Sequence, residues 1–421
     1  MSTEISLDEQ YNEWFNSEDF SKYEKIEDHI LREMTIQELD YLSTMTVQEY
    51  TLYKKWHEIK RKFPVKKITK NLFGETCVTL DCQTQIPEIL KLKNNIWIPK
   101  STNDFLSLEP YVQLCDNSEL VQEWNTIRNF ISTQTYNGVI GRSLRYFVRD
   151  RITDKYLGFF CVASDFMDLT PRDRIIGWSK HEKISGGMIN HLGIGSTIVA
   201  TQPLGYNYLG NKLISLLILS DKVQNDWLEK YNDLLVGITT TSLYGTFSQY
   251  DNLKHWKNVG GTKGQTPWEP TSHIRKKLMD WLALNYPRMY WEYSLAAKEN
   301  GQKLKRDTKF RSLNFVYSKL KVPKEKILTE HVRGIYFSPL YENTNEFLKK
   351  QITQKELVKK FDTSEQYFCN LWKEKYAAKR IKNLIETQRI RDDLCFYDDL
   401  ITMKSFEEAK EKYLHKVGEG R

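Results

Sequence analysis

Residues 196–220 read STIVATQ, PLGYNYLGNK and LISLLILS, and these three runs predict a strand, a loop and a helix. The first run, residues 196–202, is short, rich in β-branched side chains and bounded by Gly and Pro, which is typical of a buried strand. The last run, residues 213–220, is too continuously apolar for a surface helix and too short to cross a bilayer, so it predicts a core helix. We therefore expect the fold to be organised around a strand–loop–helix unit.

The loop of this unit, residues 203–212, contains Gly205, Gly210 and Lys212 ahead of the helix. Unpaired backbone N–H groups and the positive end of the helix dipole make the start of a helix favourable for an anion. Glycines let the backbone approach a phosphate closely. The loop thus predicts phosphate binding, with glycines kept for tight packing as the alternative.

The composition predicts a globular protein of two or three domains. Of its 421 residues, 40% are hydrophobic and 28% are charged, which is ordinary for a water-soluble protein. No apolar run reaches the length of a membrane span, and the N-terminus does not have the basic and apolar regions of a secretory signal. The six cysteines are scattered, which predicts reduced thiols, a cytoplasmic location (the host cytoplasm for a phage gene) and no metal site.

The net charge of +7 is unevenly distributed along the chain. Residues 1–50 contain 13 acidic and 3 basic side chains, whereas residues 54–70 contain eight basic ones. Residues 271–336 contain 15 basic and 6 acidic side chains with aromatic residues between them. Such stretches are typical of surfaces that bind a phosphate backbone and stack on bases, and a solvated helical face is the alternative. We expect double-stranded DNA to be bound by Lys303, Lys305, Arg306, Lys309 and Arg311.

Changes in composition divide the chain into five segments. These are an acidic-then-basic helical segment at 1–70, a connector at 71–118, a mixed core at 119–268, a basic helical extension at 269–340 and a helical region at 341–421. The last region contains a helix-turn-helix pattern over residues 353–375, in which Ser364 caps the second helix. A plain helical hairpin is the alternative.

The mixed core has a regular order of predicted elements. They are a helix at 120–131, strands at 144–150 and 156–165, an insertion, the strand–loop–helix unit, a helix at 220–231, a strand at 234–242 and a short helix at 249–257. We expect an α+β fold in which a mixed, twisted sheet is flanked by helices, with helical N- and C-terminal extensions.

This order resembles the GNAT acetyltransferase superfamily, whose members bind the pyrophosphate of acyl-CoA in a Gly-containing loop after the fourth strand. Residues 202–207, QPLGYN, are similar to the pattern Q/R-x-x-G-x-G/A, with Asn207 in place of the final small residue. Residues 252–260, NLKHWKNVG, resemble the closing helix, with Trp256 where many members have a catalytic Tyr. The resemblance implies a GNAT-like core and acetyl-CoA or a related acyl-CoA as cofactor. The residues expected to hold it are Gln202, Gly205, Tyr206, Asn207, Gly210, Asn211 and Lys212.

A second resemblance covers residues 124–264. RDRIIGWS at 172–179 and HWK at 255–257 are similar to the Druantia A family of anti-phage and mobile-element proteins, and the run 197–245 resembles phage proteins labelled Mom-like. The Mom resemblance implies transfer of a methylcarbamoyl-type acyl group to the N6 amine of adenine in DNA, which protects the DNA from restriction. The alternatives are a non-catalytic DNA-binding module on a GNAT-like scaffold and acetylation of a protein or small amine.

The candidate catalytic residues lie in the insertion and at the ends of predicted strands. Asp165 or Asp173 is expected to take a proton from the amine, and Arg172 to hold a DNA phosphate or the target base. Ser242 or Tyr244 is expected to steady the carbonyl oxygen. The alternatives are an internal ion pair for Arg172 and Asp173, a helix cap for Asp165, and a turn or packing role for Ser242 and Tyr244.

Overall fold

The strands that organise the fold fall into two sheets. In chain order they are β1 (Val65–Lys70), β2 (Thr76–Leu80), β3 (Pro110–Leu114), β4 (Ser143–Asp150), β5 (Tyr156–Ser164), β6 (Leu192–Ala200), β7 (Gly237–Ser242), β8 (Lys257–Lys263) and β9 (Val332–Pro339). β1 and β2 form an antiparallel pair, and the other strands form a seven-stranded sheet in the order β3-β4-β5-β6-β7-β9-β8. Within it β6 and β7 are parallel, and all other neighbours are antiparallel.

The structure is a computed structural model that describes residues 6–70, 76–80, 85–135, 141–184, 186–243, 247–263, 267–294, 306–328 and 332–417. Side chains at 66–87, 263 and 306–310 lie outside that description. Among the residues it does describe, no helix combines the length and the apolar character needed to cross a membrane.

The helices vary from one turn to four turns in length. In chain order they are α1 (Leu7–Ser17), α2 (Asp28–Ser43), α3 (Val47–Lys62), α4 (Gln85–Asn94), α5 (Ser118–Ile131), α6 (Thr170–Ile176), α7 (Lys180–Ile184), α8 (Leu204–Asn207), α9 (Gly210–Leu217), α10 (Asp221–Tyr231), α11 (Ser272–Asn285), α12 (Pro287–Ser294), α13 (Arg306–Lys319), α14 (Lys324–Ile327), α15 (Thr344–Leu348), α16 (Glu365–Trp372), α17 (Ala378–Glu386) and α18 (Phe406–Tyr413). A π-helical turn, Lys373–Ala377, joins α16 to α17.

The chain forms two compact units. The first combines Met1–Thr46 with Gly264–His331 and is mainly helical where it is described. The second combines Val47–Lys263 with Val332–Arg421 and contains both sheets. The mixed α+β class predicted from the sequence, with helices beside a mixed sheet, is therefore confirmed.

The predicted hairpin is present as β4 and β5, because its strands and its turn are both encoded locally. The side chains of β5 are buried from Tyr156 to Ala163, so both faces of this strand are covered. Asp150 fixes the turn by accepting hydrogen bonds from the backbone N–H and the hydroxyl of Thr153, at 3.0 and 2.7 Å. Such carboxylate–backbone bonds stabilise tight turns.

The strand–loop–helix unit is present with shifted boundaries. β6 begins at Leu192, four residues before the predicted start, and α9 begins at Gly210 instead of Leu213. α9 packs against β5 and β6, and its residues are almost all buried, as expected for a helix this apolar. Ile214 of α9 lies so close to Gly158 of β5 that a Cβ there would be 2.6 Å from its terminal carbon.

Two predictions of local structure are wrong. The predicted helix at 249–257 is a series of turns followed by β8, since Gln249 and Trp256 hydrogen-bond to distant groups. The first helix of the helix-turn-helix pattern is only a short 3-10 turn, Gln354–Glu356, although Ser364 does cap α16. The sheet also includes β3 and β9, which lie outside the predicted core at 119–268 and reach it through pairing between residues far apart in sequence.

Candidate functional site

Three backbone donors of the loop after β6 are engaged within the loop itself. The Gly205 N–H donates to the Thr201 carbonyl at 2.8 Å, and the Asn207 N–H donates to the Pro203 carbonyl at 3.0 Å. The Tyr206 N–H donates to the Gln202 side-chain oxygen at 2.9 Å. A phosphate cradle needs backbone N–H groups that point outward, so these three groups do not fit the pyrophosphate of an acyl-CoA.

The polar side chains of the loop are also engaged within the chain. Asn207 accepts from the Arg391 N–H at 3.1 Å and donates to the Arg391 carbonyl at 2.7 Å. Asn211 accepts from the Ala200 N–H at 2.8 Å. Buried Lys212 donates to the carbonyls of Ser248 and Asp251, both at 2.5 Å, and burial lowers its pKa to about 8. Each of these side chains holds two parts of the protein together.

Both loop glycines lie in closely packed surroundings, and at Gly210 the neighbouring atoms include a backbone carbonyl. A Cβ on Gly205 would lie 2.7 Å from the Gln202 side chain, and a Cβ on Gly210 would lie 3.0 Å from the backbone carbonyl of Leu204. Real Cβ atoms do not approach other atoms this closely without displacing them. The packing alternative therefore describes both positions.

The edge of β6 that faces β7 is closed by side chains of the same protein. β6 pairs with β7 from Leu192 to Gly195 and then continues to Ala200 paired only with β5. Along that extension Gln249 donates to the Ile198 carbonyl at 3.1 Å, and the Asn211 oxygen accepts from the Ala200 N–H. The two parallel strands therefore diverge, but their gap is occupied.

Ser196 marks the point of divergence. The pairing of β6 with β5 shifts register here, because Gly195 opposes Val162 while Thr197 opposes Cys161. Ser196 is exposed although both of its neighbours are buried. A bulge that re-aims one side chain in a central strand is a common device near binding sites. The sequence did not single out Ser196 or Gln249, because both depend on strand register.

Arg172 lies in an enclosed ion-pair network with Asp165, Asp173 and Lys183. The Arg172 guanidinium is 2.8 Å from an Asp165 oxygen and donates to Asp173 at 2.6 and 2.9 Å. Lys183 donates to the other Asp173 oxygen at 2.6 Å. The side chains of Arg172 and Asp165 are both 0% exposed. This geometry agrees with the alternative prediction, an internal ion pair of Arg172 and Asp173. Arg172 does not reach the surface, where a DNA phosphate would lie.

Burial dominates the electrostatics of this network. It raises the pKa of Asp165, against the opposing effect of the Arg172 charge. Burial also acts to lower the pKa of Arg172, but the two carboxylates outweigh it and raise that pKa. Two cations and two carboxylates thus neutralise one another inside the protein, as buried charges require.

The structure places Asp165, and with it Arg172 and Asp173, away from the predicted cofactor loop. Asp165 accepts from the Thr239 hydroxyl at 2.8 Å, and Thr239 pairs with Ile194 near the start of β6. The loop begins only after Ala200, so about 20 Å of strand separates the two sets, at roughly 3.3 Å per residue. Ser242 is buried at the end of β7, and Tyr244 lies outside the described residues.

Three basic side chains of residues 271–336 are paired with the acidic N-terminal segment. Both belong to the first unit, in which each of three basic side chains contacts an acidic one from residues 1–50. The pairs are Lys277 with Glu24, Arg288 with Asp8 at 2.6 Å, and Lys326 with Asp40 at 2.5 Å. These contacts explain why two oppositely charged segments occur in one chain.

The five residues predicted to bind DNA are only partly described. Lys303 and Lys305 lie outside the described residues, and Arg306 and Lys309 belong to α13 but their side chains are not described. Arg311 is exposed on α13.

A second basic surface lies on the continuous helix from α16 to α17. Lys375, Lys379 and Lys382 are exposed there, and no carboxylate among the described residues lies within ion-pair distance of them. Beside this helix, the guanidinium groups of Arg380 and Arg391 lie 4.8 and 4.0 Å from the centre of the Tyr206 ring. The arginines of residues 380–391 were missed by the sequence analysis, which weighed this region only as a helix-turn-helix.

The fold and this loop define a mixed α+β protein in which helices and a tyrosine-bearing loop follow the fourth strand of a seven-stranded sheet. Residues 107–350, which include that whole sheet, match the family model described as Druantia protein DruA, and the chain belongs to this family.

A curated relative described as "Druantia protein DruA", from Escherichia coli (strain UMEA 4076-1), is 27% identical over 226 residues. The similarity covers 50% of this chain and 54% of the relative, so the chain spans about half the length of that relative. No solved structure matches the chain.

Proposed function

We propose that the chain is a DNA-binding component of a Druantia-type anti-phage system, in which a GNAT-like sheet serves as a scaffold and not as an acyltransferase. The observation that carries this proposal is that polar groups of the loop after β6 hydrogen-bond within the chain. The chain itself engages the backbone N–H groups of residues 205–207, the side chains of Asn207 and Asn211, and Lys212. A loop that binds acyl-CoA would have to break several of these hydrogen bonds, and breaking each one is costly in a buried site.

The DNA-binding part of the proposal is supported by the charges that are still available at the surface. The acidic N-terminal segment neutralises part of the basic charge of the first unit. In the second unit, by contrast, the α16–α17 helix presents Lys375, Lys379 and Lys382 to solvent. Exposed cations that no carboxylate neutralises displace counterions when they meet a phosphate backbone, which favours DNA binding.

Acyl transfer to DNA, as in Mom-like GNAT proteins, is the second candidate function. Its support is the arrangement of the sheet: the loop follows the fourth strand of the seven, and the fourth and fifth strands are parallel neighbours that diverge. Exposed Ser196 lies where they separate. In this candidate the modified base would be adenine and the acyl donor an acyl-CoA.

The two candidates differ in what the purified chain binds. We expect fluorescence anisotropy to detect binding of a labelled DNA duplex that weakens steeply as salt is raised. We expect isothermal titration with acetyl-CoA to give no binding heat on the same sample. Saturable binding of acetyl-CoA, lost in Asn211→Ala but not in the exposed-site variant Arg174→Gln, would support acyl transfer and contradict the scaffold proposal.

A further inference from the structure

We infer that Arg380 and Arg389, together with Arg391 and Tyr206, form a binding site for neighbouring phosphates of the DNA backbone. This inference rests on the proposed DNA-binding function and names the site through which it acts. The site lies where the helix α17 and the segment after it meet the loop that follows β6.

The arginines are held in place by the loop. The Arg380 guanidinium lies against the Tyr206 ring and donates to the Tyr206 carbonyl at 3.2 Å. Arg391 lies on the same ring, and its backbone is fixed by two hydrogen bonds with Asn207. A guanidinium stacked on an aromatic ring loses little further freedom when it binds an anion. The loop therefore orders these cations before a ligand arrives.

Among the described residues, no carboxylate balances the charges of Arg380 and Arg389. Arg389 donates to neutral groups, the Thr387 hydroxyl at 3.0 Å and the Asn383 oxygen at 3.1 Å. No carboxylate among the described residues lies within ion-pair distance of Arg380 or Arg389. Of the nearby acids, Asp393 pairs with Lys416 at 2.6 Å.

The arginines also repel one another. Burial lowers the pKa of Arg380, and the charges of Arg389 and Arg391 lower it further. Arg380 and Arg389 carry like charges and have no ion-pair partner among the described residues, which favours the binding of an anion. Phosphate accepts the paired N–H groups of arginine especially well.

The neighbouring lysines indicate a polyanion instead of a small phosphate ester. Lys375, Lys379 and Lys382 follow one another on one side of the same helix, with spacings of four and three residues. They extend over about 10 Å of helix axis, at 1.5 Å per residue. A single phosphate contacts only one end of such a row, whereas a DNA strand presents phosphates along it.

Anisotropy of a labelled duplex, measured over a series of salt concentrations, tests this site. In the double variant Arg380→Gln/Arg389→Gln we expect the dependence of log affinity on log salt to become shallower by about two units, one for each phosphate that the variant no longer neutralises. We also expect the affinity at moderate salt to fall roughly tenfold. The control Arg174→Gln/Lys180→Gln removes the same charge from exposed positions of α6 and α7, and its salt dependence should match that of the wild type.

Half-buried Arg380 also packs on Tyr206, so the exposed single variant Arg389→Gln should be measured as well. Its slope should fall by about one unit while its melting temperature stays unchanged. Two outcomes would contradict the site but leave the proposed function standing, provided that the wild type binds DNA. In one, the arginine variants keep the salt dependence of the wild type. In the other, the salt dependence of the control becomes as shallow as that of the arginine variants. If the wild type binds no DNA, the proposed function itself fails. Binding of ADP that is lost in Arg389→Gln, together with DNA binding that this variant leaves unchanged, would overturn the site in favour of a nucleotide.

Discussion

Arg172 shows how a residue chosen for its chemistry can have a purely internal role. The triplet Arg172-Asp173-Arg174 suggests a surface that binds phosphate, but only Arg174 of the three is exposed. Arg172 is enclosed by two carboxylates and lies 5.8 Å from the centre of the Trp178 ring. The sequence contains the charges but not their burial, which depends on how the insertion packs on the sheet.

Removing Arg172 should destabilise the protein strongly. In Arg172→Met the buried Asp165 and Asp173 lose their shared counter-charge, and we expect the free energy of unfolding to fall by about 3–5 kcal/mol. Urea denaturation measures this decrease. The matched control Arg174→Gln, two residues along the same helix and exposed, should change it by less than about 0.5 kcal/mol. Equal effects of the two variants would contradict an enclosed ion-pair network.

His255 should make the protein sensitive to acid. Its ring lies 4.6 Å from that of Phe361 and 5.5 Å from that of Phe368, and burial, aided by Lys375 and Lys254, lowers its pKa from 6.5 to about 4. Below pH 6.5 the unfolded chain binds a proton that the folded chain does not, so stability falls as the pH drops toward 4.

The variant His255→Phe isolates this effect. We expect the stability of the wild type, relative to the variant, to fall by on the order of 1 to 3 kcal/mol between pH 7 and pH 4. Thermal denaturation across that range measures the difference. Parallel pH profiles for the two proteins would show that His255 is not buried in its neutral form.

At the scale of the elements, the two loop glycines should differ in how well they tolerate a side chain. In Gly205→Ala the new Cβ meets the end of the flexible Gln202 side chain, which can move. In Gly210→Ala it meets the Leu204 side chain at 2.7 Å and the Leu204 backbone at 3.0 Å, and a backbone cannot yield as easily. We expect Gly210→Ala to cost about 1–3 kcal/mol and Gly205→Ala clearly less. Urea denaturation of the pair gives the order, and the reverse order would contradict this packing.

Elements encoded by neighbouring residues could be predicted from the sequence, whereas those that depend on distant contacts could not. The hairpin of β4 and β5 has its own alternation and turn, and Ser364 does cap α16, with its side chain accepting from the Tyr367 N–H. The predicted helix at 249–257 failed because Trp256 donates to the Ser215 carbonyl at 2.7 Å and Gln249 to Ile198. Helical periodicity alone does not reveal such partners.

The sequence predicted where the loop lies in the fold, but it did not predict which of the loop's polar groups hydrogen-bond within the chain. The Gly-containing loop does lie between a central strand and a buried helix, as its sequence indicates. The side chain of Asn207 in this loop is nevertheless engaged by the backbone of Arg391, which is 184 residues away from it in the sequence. A contact over that separation leaves no local pattern.

At the scale of the whole molecule, the basic side chains divide into those paired with acidic groups and those that remain exposed. The acidic N-terminal segment and the basic helices of the first unit pair with each other. In the second unit, Lys55 and Lys62 both pair with Glu58, so part of the basic run at 54–70 is engaged too. The exposed cations of the α16–α17 helix are therefore the described ones best suited to meet DNA.

Nucleoside mass spectrometry of DNA from cells that express the chain tests the proposed function most directly. Protein purified from the same cells must first be shown to bind a DNA duplex, so that the absence of a modification is informative. We expect no nucleoside beyond those found in cells that carry the empty vector. An adenine with a small acylamino substituent, present only when the chain is expressed, would contradict the scaffold proposal and support acyl transfer.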